Sequence, residues 1–231
     1  MKFNKAIPLF ISLSIIAGCG MDGKQVQGNN STPKPAALKD RFTKGYLNSN
    51  KVKEGYYEFK SKTNGYTMLF PKDAVISDNF GNEKHGNKYE SILYGAKIDG
   101  AAIDTQVTYE NNTSTQKIEP NLSLLSSSIG YKGTYNEEYK AGATRYFAEE
   151  TIDIRSAVSY SYLSFIKADH TNQAVRIVYT VTCQKDDRNC LSKKDTFQLE
   201  AVNVMDSVSF NTGMRIYQKI KTWHYPSFTF Y

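Results

Sequence analysis

From residue 55 onward the chain is a succession of short runs rich in Tyr, Val, Ile, Thr and Phe, separated by Gly, Asn, Asp or Pro. That is the pattern of strands and turns. Residues 55–61 and 66–70 come first, the second run stopped by Pro71. Residues 90–98 and 102–110 flank Asp99-Gly100, a dipeptide that accepts the positive φ angles of a tight hairpin turn. In the second of these runs Ile103, Thr105, Val107 and Tyr109 alternate onto one face. Residues 144–154, 157–168 and 174–183 continue the series, and Asp169-His170-Thr171-Asn172 joins the last two as an antiparallel pair. Two stretches change period. Residues 119–129 open with Glu119-Pro120-Asn121 and carry Leu122, Leu124, Leu125 and Ile129, which suits a helix begun by proline. Residues 194–206 place Phe197, Ala201, Val204 and Met205 at helical spacing, with Ser192 as the expected cap. Residues 207–210 return to strand character. Strands followed by a helix laid on the sheet predict an α+β fold, an antiparallel β-sheet covered by helices.

The N-terminus follows different rules. Lys2 and Lys5 precede an apolar run over residues 6–16, too short to cross a bilayer as a helix and suited to a signal-peptide core. It ends in Ile16-Ala17-Gly18-Cys19, which resembles the lipobox of bacterial lipoproteins. The resemblance implies a signal peptide over residues 1–18, cleavage before Cys19, and a diacylglyceryl group on its thiol, with palmitate among the acyl chains. Two or more chains hold a soluble domain on a bilayer where one would hold it marginally. Residues 19–43 contain Gly-Asn-Asn-Ser-Thr-Pro-Lys-Pro and few large apolar side chains, and are expected to be a flexible tether. Gly20, where an Asp would retain a lipoprotein at the inner membrane, favours the periplasmic side of the outer membrane in a Gram-negative host. In any other host the extracellular face of the plasma membrane is expected.

Charge supports export rather than nucleic-acid binding. The 231 residues carry 29 Lys+Arg against 23 Asp+Glu, a net +6, which by itself would suit nucleic acid. Yet residues 44–212 hold 20 basic and 21 acidic side chains, and the excess sits at the two ends. No nucleic-acid partner is expected.

Cys183 and Cys190 frame the polar run Gln-Lys-Asp-Asp-Arg-Asn. In an oxidising compartment they are expected to form a disulfide closing a hairpin-like turn. The rival readings are a redox dithiol, which more often shows C-x-x-C, and half of a metal site, for which His85, His170 and His224 are too scattered.

Other chemistry is sparse. The chain has no G-x-S-x-G, H-E-x-x-H, P-loop or G-x-G-x-x-G. Ser114/Lys117 and Ser164/Lys167 match S-x-x-K by spacing alone, in a loop and a strand where the pair is not held together. The adjacent acids Glu137-Glu138 and Glu149-Glu150 point to opposite faces of a strand. Asp186-Asp187 with Asn189 offers too few oxygens for calcium. No catalytic residues, metal or cofactor are expected.

Within residues 55–211 a second resemblance emerges. Asn64-Gly65-Tyr66-Thr67-Met68-Leu69-Phe70-Pro71, and a Phe-containing helix closing in Val204-Met205-Asp206-Ser207-Val208-Ser209-Phe210, look like the opening strand and the exit of PsbP/Mog1-like domains. Residues 111–140 depart from that pattern, and no tryptophan follows Pro71. The resemblance implies an α/β/α sandwich used for binding or assembly, and it carries over no catalytic residue. A domain spanning residues 44–212 is expected.

Aromatic residues are the remaining candidates for recognition. Tyr160 and Tyr162 alternate on one predicted strand, either as covering for a sheet or as a recognition face. The tail, residues 213–231, combines Arg215, Lys219 and Lys221 with Trp223, Tyr225, Phe228 and Phe230. It suits either docking on the domain or contact with a membrane interface. The expected function is a non-catalytic binding or assembly module, held to membrane lipid through acylated Cys19 and engaging an envelope protein. An immunity or exclusion lipoprotein and a cryptic envelope hydrolase are the alternatives.

Overall fold

The alternation of Ile103, Thr105, Val107 and Tyr109 is realised in a long strand whose inward positions are all at most 4% exposed. A computed structural model describes residues 34–140 and 142–211. In chain order the elements are α1 (Ala36–Lys39), α2 (Arg41–Lys44), β1 (Leu47–Lys53), β2 (Tyr56–Lys60), β3 (Tyr66–Pro71), β4 (Val75–Ile76), β5 (Glu83–His85), β6 (Tyr89–Ile98) and β7 (Ala101–Asn111). A 3₁₀ turn (Thr113–Gln116) leads to α3 (Ile118–Ser127), β8 (Asn136–Lys140), β9 (Ala143–Asp153), β10 (Ala157–Ala168), β11 (Gln173–Gln184), α4 (Arg188–Leu191), α5 (Lys194–Asp206) and β12 (Ser209–Phe210).

The strands form two antiparallel sheets. The larger runs β4-β6-β7-β11-β10-β9-β8 with β5 also on β6, and the smaller runs β1-β2-β3-β12. Asp99 (φ 51°) and Gly100 (φ 85°) make the β6–β7 turn that their dipeptide predicts. Tyr57, Phe59, Tyr66, Met68 and Phe70 of the smaller sheet share one core with Phe197, Ala201, Val204 and Met205 of α5 and with the inner face of the larger sheet. Leu163 and Phe165 of β10 point the other way and pack with Leu125 of α3 in a separate cluster. Tyr160, Tyr162 and Ile166 face the main core from the same strand. β10 is therefore covered on both faces, which explains its nearly unbroken burial.

The structure departs from the sequence expectations at three places. Residues 36–43, expected in the tether, form α1 and most of α2. There Ala37 is fully buried, Asp40 caps α2 by accepting from the Thr43 N–H at 2.6 Å, and Thr43 Oγ1 accepts from the Ile76 N–H at 2.9 Å. A pair of four-residue helices has too few positions to show a helical period, so composition alone reads as linker. Ser192 does not cap α5. It closes α4, its hydroxyl donating to the Asn189 carbonyl at 2.9 Å, and Lys193 precedes α5 without a side-chain cap. α3 starts at Ile118, so Pro120 sits inside its first turn. The signal peptide, Cys19 and the tail residues lie outside the described residues.

Candidate functional site

Cys183, at the end of β11, and Cys190, in α4, are joined in a disulfide with a Cα–Cα separation of 5.7 Å, and both are fully buried. The bridge fastens a helical turn to a strand rather than closing a hairpin. Asp187 begins that turn by accepting from the Cys190 N–H at 3.0 Å.

Tyr160 and Tyr162 are buried at 7% and 1% exposure against the main core. They are covering, not a recognition face, because α5 occupies the surface they would present. Ser164 and Lys167 point to opposite faces of β10. Lys167 donates to the carbonyls of Ala168 and Thr171. Neither Trp223, Tyr225, Phe228 and Phe230 nor Cys19 falls among the described residues.

Two of the concave surfaces lie beside α5. One is a groove of about 520 Å³ between α5 with β12 and the ends of β9 and β10, floored by Ile166, Met205, Val208 and Phe210. Its wall holds Arg145, whose side chain is 7% exposed. The guanidinium reaches Glu138 of β8 at 2.6 Å and Asp206 of α5, while Lys140 reaches Asp206 at 2.6 Å. Phe147 lies beneath the guanidinium at 5.2 Å. Glu138 and Asp206 thus pair both cations of the groove, Lys140 and Arg145. Its apolar floor and paired walls suit a neutral, partly apolar surface. Glu137 and Glu138 diverge as strand neighbours must, Glu137 accepting from the Tyr146 hydroxyl at 3.4 Å.

The other is a cleft of about 260 Å³ at the opposite side of α5, where the two sheets part. Tyr56 of β2, Tyr94 of β6, Tyr179 of β11 and Glu200 of α5 line it, with Ala96, Ile98 and Ile103 as apolar wall and Glu54, Lys72 and Asp73 at its edge. Tyr94 is 1% exposed, and its hydroxyl, without accessible surface of its own, lies against the Thr105 hydroxyl. Thr105, its register neighbour on β7, is buried with its hydroxyl in the same condition. Burial pushes the Tyr94 and Tyr179 phenols well up. Burial, and after it the charge of Asp99, raises the Glu200 carboxyl above its ordinary range. Glu200 in turn helps burial raise the Tyr56 phenol. Sequence reading missed this cleft, because its members come singly from four elements and nothing in their spacing joins them.

The family model YvcA/Mog1p, described as "Putative lipoprotein YvcA", matches residues 33–209. A curated relative of the same description from Bacillus subtilis (strain 168) is 27% identical, over 86% of this chain and 92% of its own. Among solved structures, a Bacteroides thetaiotaomicron protein is similar at a TM-score of 0.42 and 11% identity, over 67% of this chain and 48% of that one. LpqN of Mycobacterium tuberculosis, described as involved in cell envelope biogenesis, is similar at a TM-score of 0.35 and 9% identity, over 72% of this chain and 95% of that one. The chain thus spans about half the length of the Bacteroides protein.

Proposed function

The chain belongs to the YvcA lipoprotein family, and on that premise we propose that it is held at an extracytoplasmic membrane surface by lipid on Cys19 and acts there by binding, as a non-catalytic module of the cell envelope. The observation that carries the anchoring is the lipobox Ile16-Ala17-Gly18-Cys19, followed by a domain whose first helix, α1, starts at Ala36. Fully extended, residues 20–33 reach at most about 50 Å. That length bounds how far the start of the domain stands from the lipid surface. Among the described residues no helix is long and apolar enough to cross a membrane. On a two-membrane envelope Gly20 favours the outer membrane in this reading, and on a one-membrane envelope the site is the outer face of the plasma membrane.

The binding half of the reading is supported by the two concave surfaces. Arg145 is committed to Glu138 and Asp206. α3 and α5 lie on opposite faces of the larger sheet. We take them as the outer layers of the PsbP/Mog1-like α/β/α sandwich, with the smaller sheet an addition beside α5.

Metabolic labelling with radioactive palmitate, membrane fractionation and crosslinking in intact cells test the proposal together. The wild-type chain should be labelled, fractionate with membranes and give a discrete crosslinked adduct. Cys19→Ala should lose the label, leave the membrane and lose the adduct. A Cys19→Ala protein that stays membrane-bound overturns the anchoring, and release of products from purified envelope polymers by the purified chain overturns the non-catalytic role.

A further inference from the structure

The chain leaves β12 at the groove beside α5. Val208 and Phe210, both half-buried, form the groove's floor with Ile166 and Met205, and Ala143 of β9 adds to its side. β12 pairs with β3 alone, so among the described residues its other edge is open. About 520 Å³ is the size of a cleft that encloses most of a bound organic group. Lys140 and Arg145 on its rim are engaged by Glu138 and Asp206. What a further contact would take from water is therefore chiefly the hydrocarbon of Val208, Phe210 and Ala143. The chain continues past Asn211 in two parts of different chemistry. Residues 213–221 carry Arg215, Lys219 and Lys221. Residues 222–231 carry no Lys, Arg, Asp or Glu, but they include Trp223, Tyr225, Phe228, Phe230 and Tyr231. Phe228 and Phe230 alternate with Ser227 and Thr229, which suits an extended segment with its rings on one side.

We propose that the groove is the docking site of the chain's own aromatic end, residues 223–230, whose rings cover Val208 and Phe210. Reach is no obstacle. Residues 212–222 span at most about 40 Å when extended, and the groove begins at Phe210 itself. A connection of that length gives a segment an effective concentration on the order of millimolar. A contact too weak to form between separate molecules is then populated within one chain. The segment's composition matches the floor it meets, because uncharged aromatic rings suit a half-buried apolar surface whose rim charges are already paired. A lipid surface would instead draw on the cations of residues 213–221. Docking makes the groove a self-occupied site, so any other apolar partner must displace the segment to use it. The site stands independently of the lipid anchor and of any envelope partner.

Trp223 is the chain's single tryptophan, so its fluorescence reports this segment alone. The full chain is placed in phosphatidylcholine nanodiscs and quenched from the water by iodide, then compared in discs of brominated lipid, which quench from the bilayer. A segment docked nine-tenths of the time should be quenched by iodide about tenfold less than N-acetyltryptophanamide. Brominated lipid should leave its emission unchanged. Replacing both tail rings, Phe228→Ser with Phe230→Ser, should restore most of the iodide quenching. Val208→Ser in the groove floor should do the same, whereas Leu199→Ser, at an apolar position of α5 outside the groove that is 62% exposed, should not. The tail variant alters no side chain of the domain, so it decides even where Val208→Ser does not fold. Iodide quenching of the wild type equal to that of N-acetyltryptophanamide, quenching by brominated lipid, protection that survives the tail variant, or equal effects of Val208→Ser and Leu199→Ser would each overturn docking in this groove.

Discussion

Glu90 Oε2 accepts a hydrogen bond from the Ser61 hydroxyl at 2.6 Å, linking the larger sheet to the end of β2 in the smaller one. Its other oxygen accepts from the Lys62 N–H at 2.9 Å, and Thr63 extends the chain of bonds to the Gly65 N–H at 3.1 Å. A carboxyl 1% exposed thus organises the β2–β3 turn. Burial raises it above the ordinary value of 4.5, against the lowering effect of its bonds to Ser61 and Lys62. Between the ordinary value and the folded one, the folded protein keeps a proton that the unfolded chain has released. Stability from this group therefore falls as pH rises through that window. Glutamine copies the neutral carboxyl, offering one acceptor to Lys62 and one donor to Ser61. Glu90→Gln, neutral at every pH, should hold or gain against the wild type as pH rises from 5 to 7. Glu90→Ala, which orphans both partners, should cost about 2 kcal/mol at either pH. Thermal denaturation across pH 5 to 7 checks both, and a Gln variant that loses ground as pH rises would refute the assignment.

Arg145 joins β8, β9 and α5 through Glu138 and Asp206 at a site where its side chain is 7% exposed. Removing one member of a buried pair leaves the others uncompensated, at about 3–5 kcal/mol in full burial. Here Glu138 and Asp206 are 44% and 29% exposed, so solvent screens part of the loss. Arg145→Ala should cost about 2–3 kcal/mol by urea denaturation. Arg145→Lys should recover less than half of that, since one ammonium cannot span both carboxylates. In Asp206→Asn the penalty of Arg145→Ala should shrink, and strict additivity would show that the pair is not coupled.

The Cys183–Cys190 bridge closes a loop with a sequence separation of 7. Loop-closure entropy for a ring of that size is worth about 2.5 kcal/mol. Replacing both cysteines by alanine should lower stability by that order, and the effect should appear in wild-type protein unfolded under reducing conditions. Because both sulfur-bearing residues are fully buried, folded protein should resist reduction until it opens. Rapid thiol release from native protein, followed with a chromogenic reagent, would contradict this.

The strands read from alternation, β7 and β10 above all, are those with one or both faces in the core. What pattern did not reveal has physical causes. β1 carries Asn48, Ser49, Asn50 and Lys51, and β8 carries Asn136, Glu137 and Glu138. Both are edge strands, and β8 is exposed along its length. An edge gains from polar and charged residues that discourage pairing with other chains, so such strands lack the hydrophobic signature. The disulfide was legible because export and two neighbouring cysteines suffice to suggest it. The tyrosine cleft was not, since Tyr56, Tyr94, Tyr179 and Glu200 meet only after both sheets and α5 have packed.

Gly65, just before β3, lies directly against Tyr109 of β7 in the other sheet. A Cβ built on it would stand 2.1 Å from Cζ of Tyr109, a fully buried ring stacked on Tyr66 at 5.3 Å. The ring cannot retreat easily, because Gln173 Nε2 donates to the Tyr109 hydroxyl and to the Gly65 carbonyl, each at 3.1 Å. The same amide donates to the Asn211 carbonyl at 3.3 Å, so the displacement would also disturb the chain's exit from β12. Gly65 has no positive φ, so the obstacle to a side chain there is contact and not backbone strain. Gly65→Ala should therefore cost about 3 kcal/mol as overpacking. Tyr109→Leu opens the space but forfeits ring packing and the bond to Gln173, at a cost of similar size. If contact is the cause, the double variant should be more stable than the two single losses imply, by at least about 1 kcal/mol. Additive losses in urea denaturation would move the cause from the Tyr109 ring to the backbone of the turn.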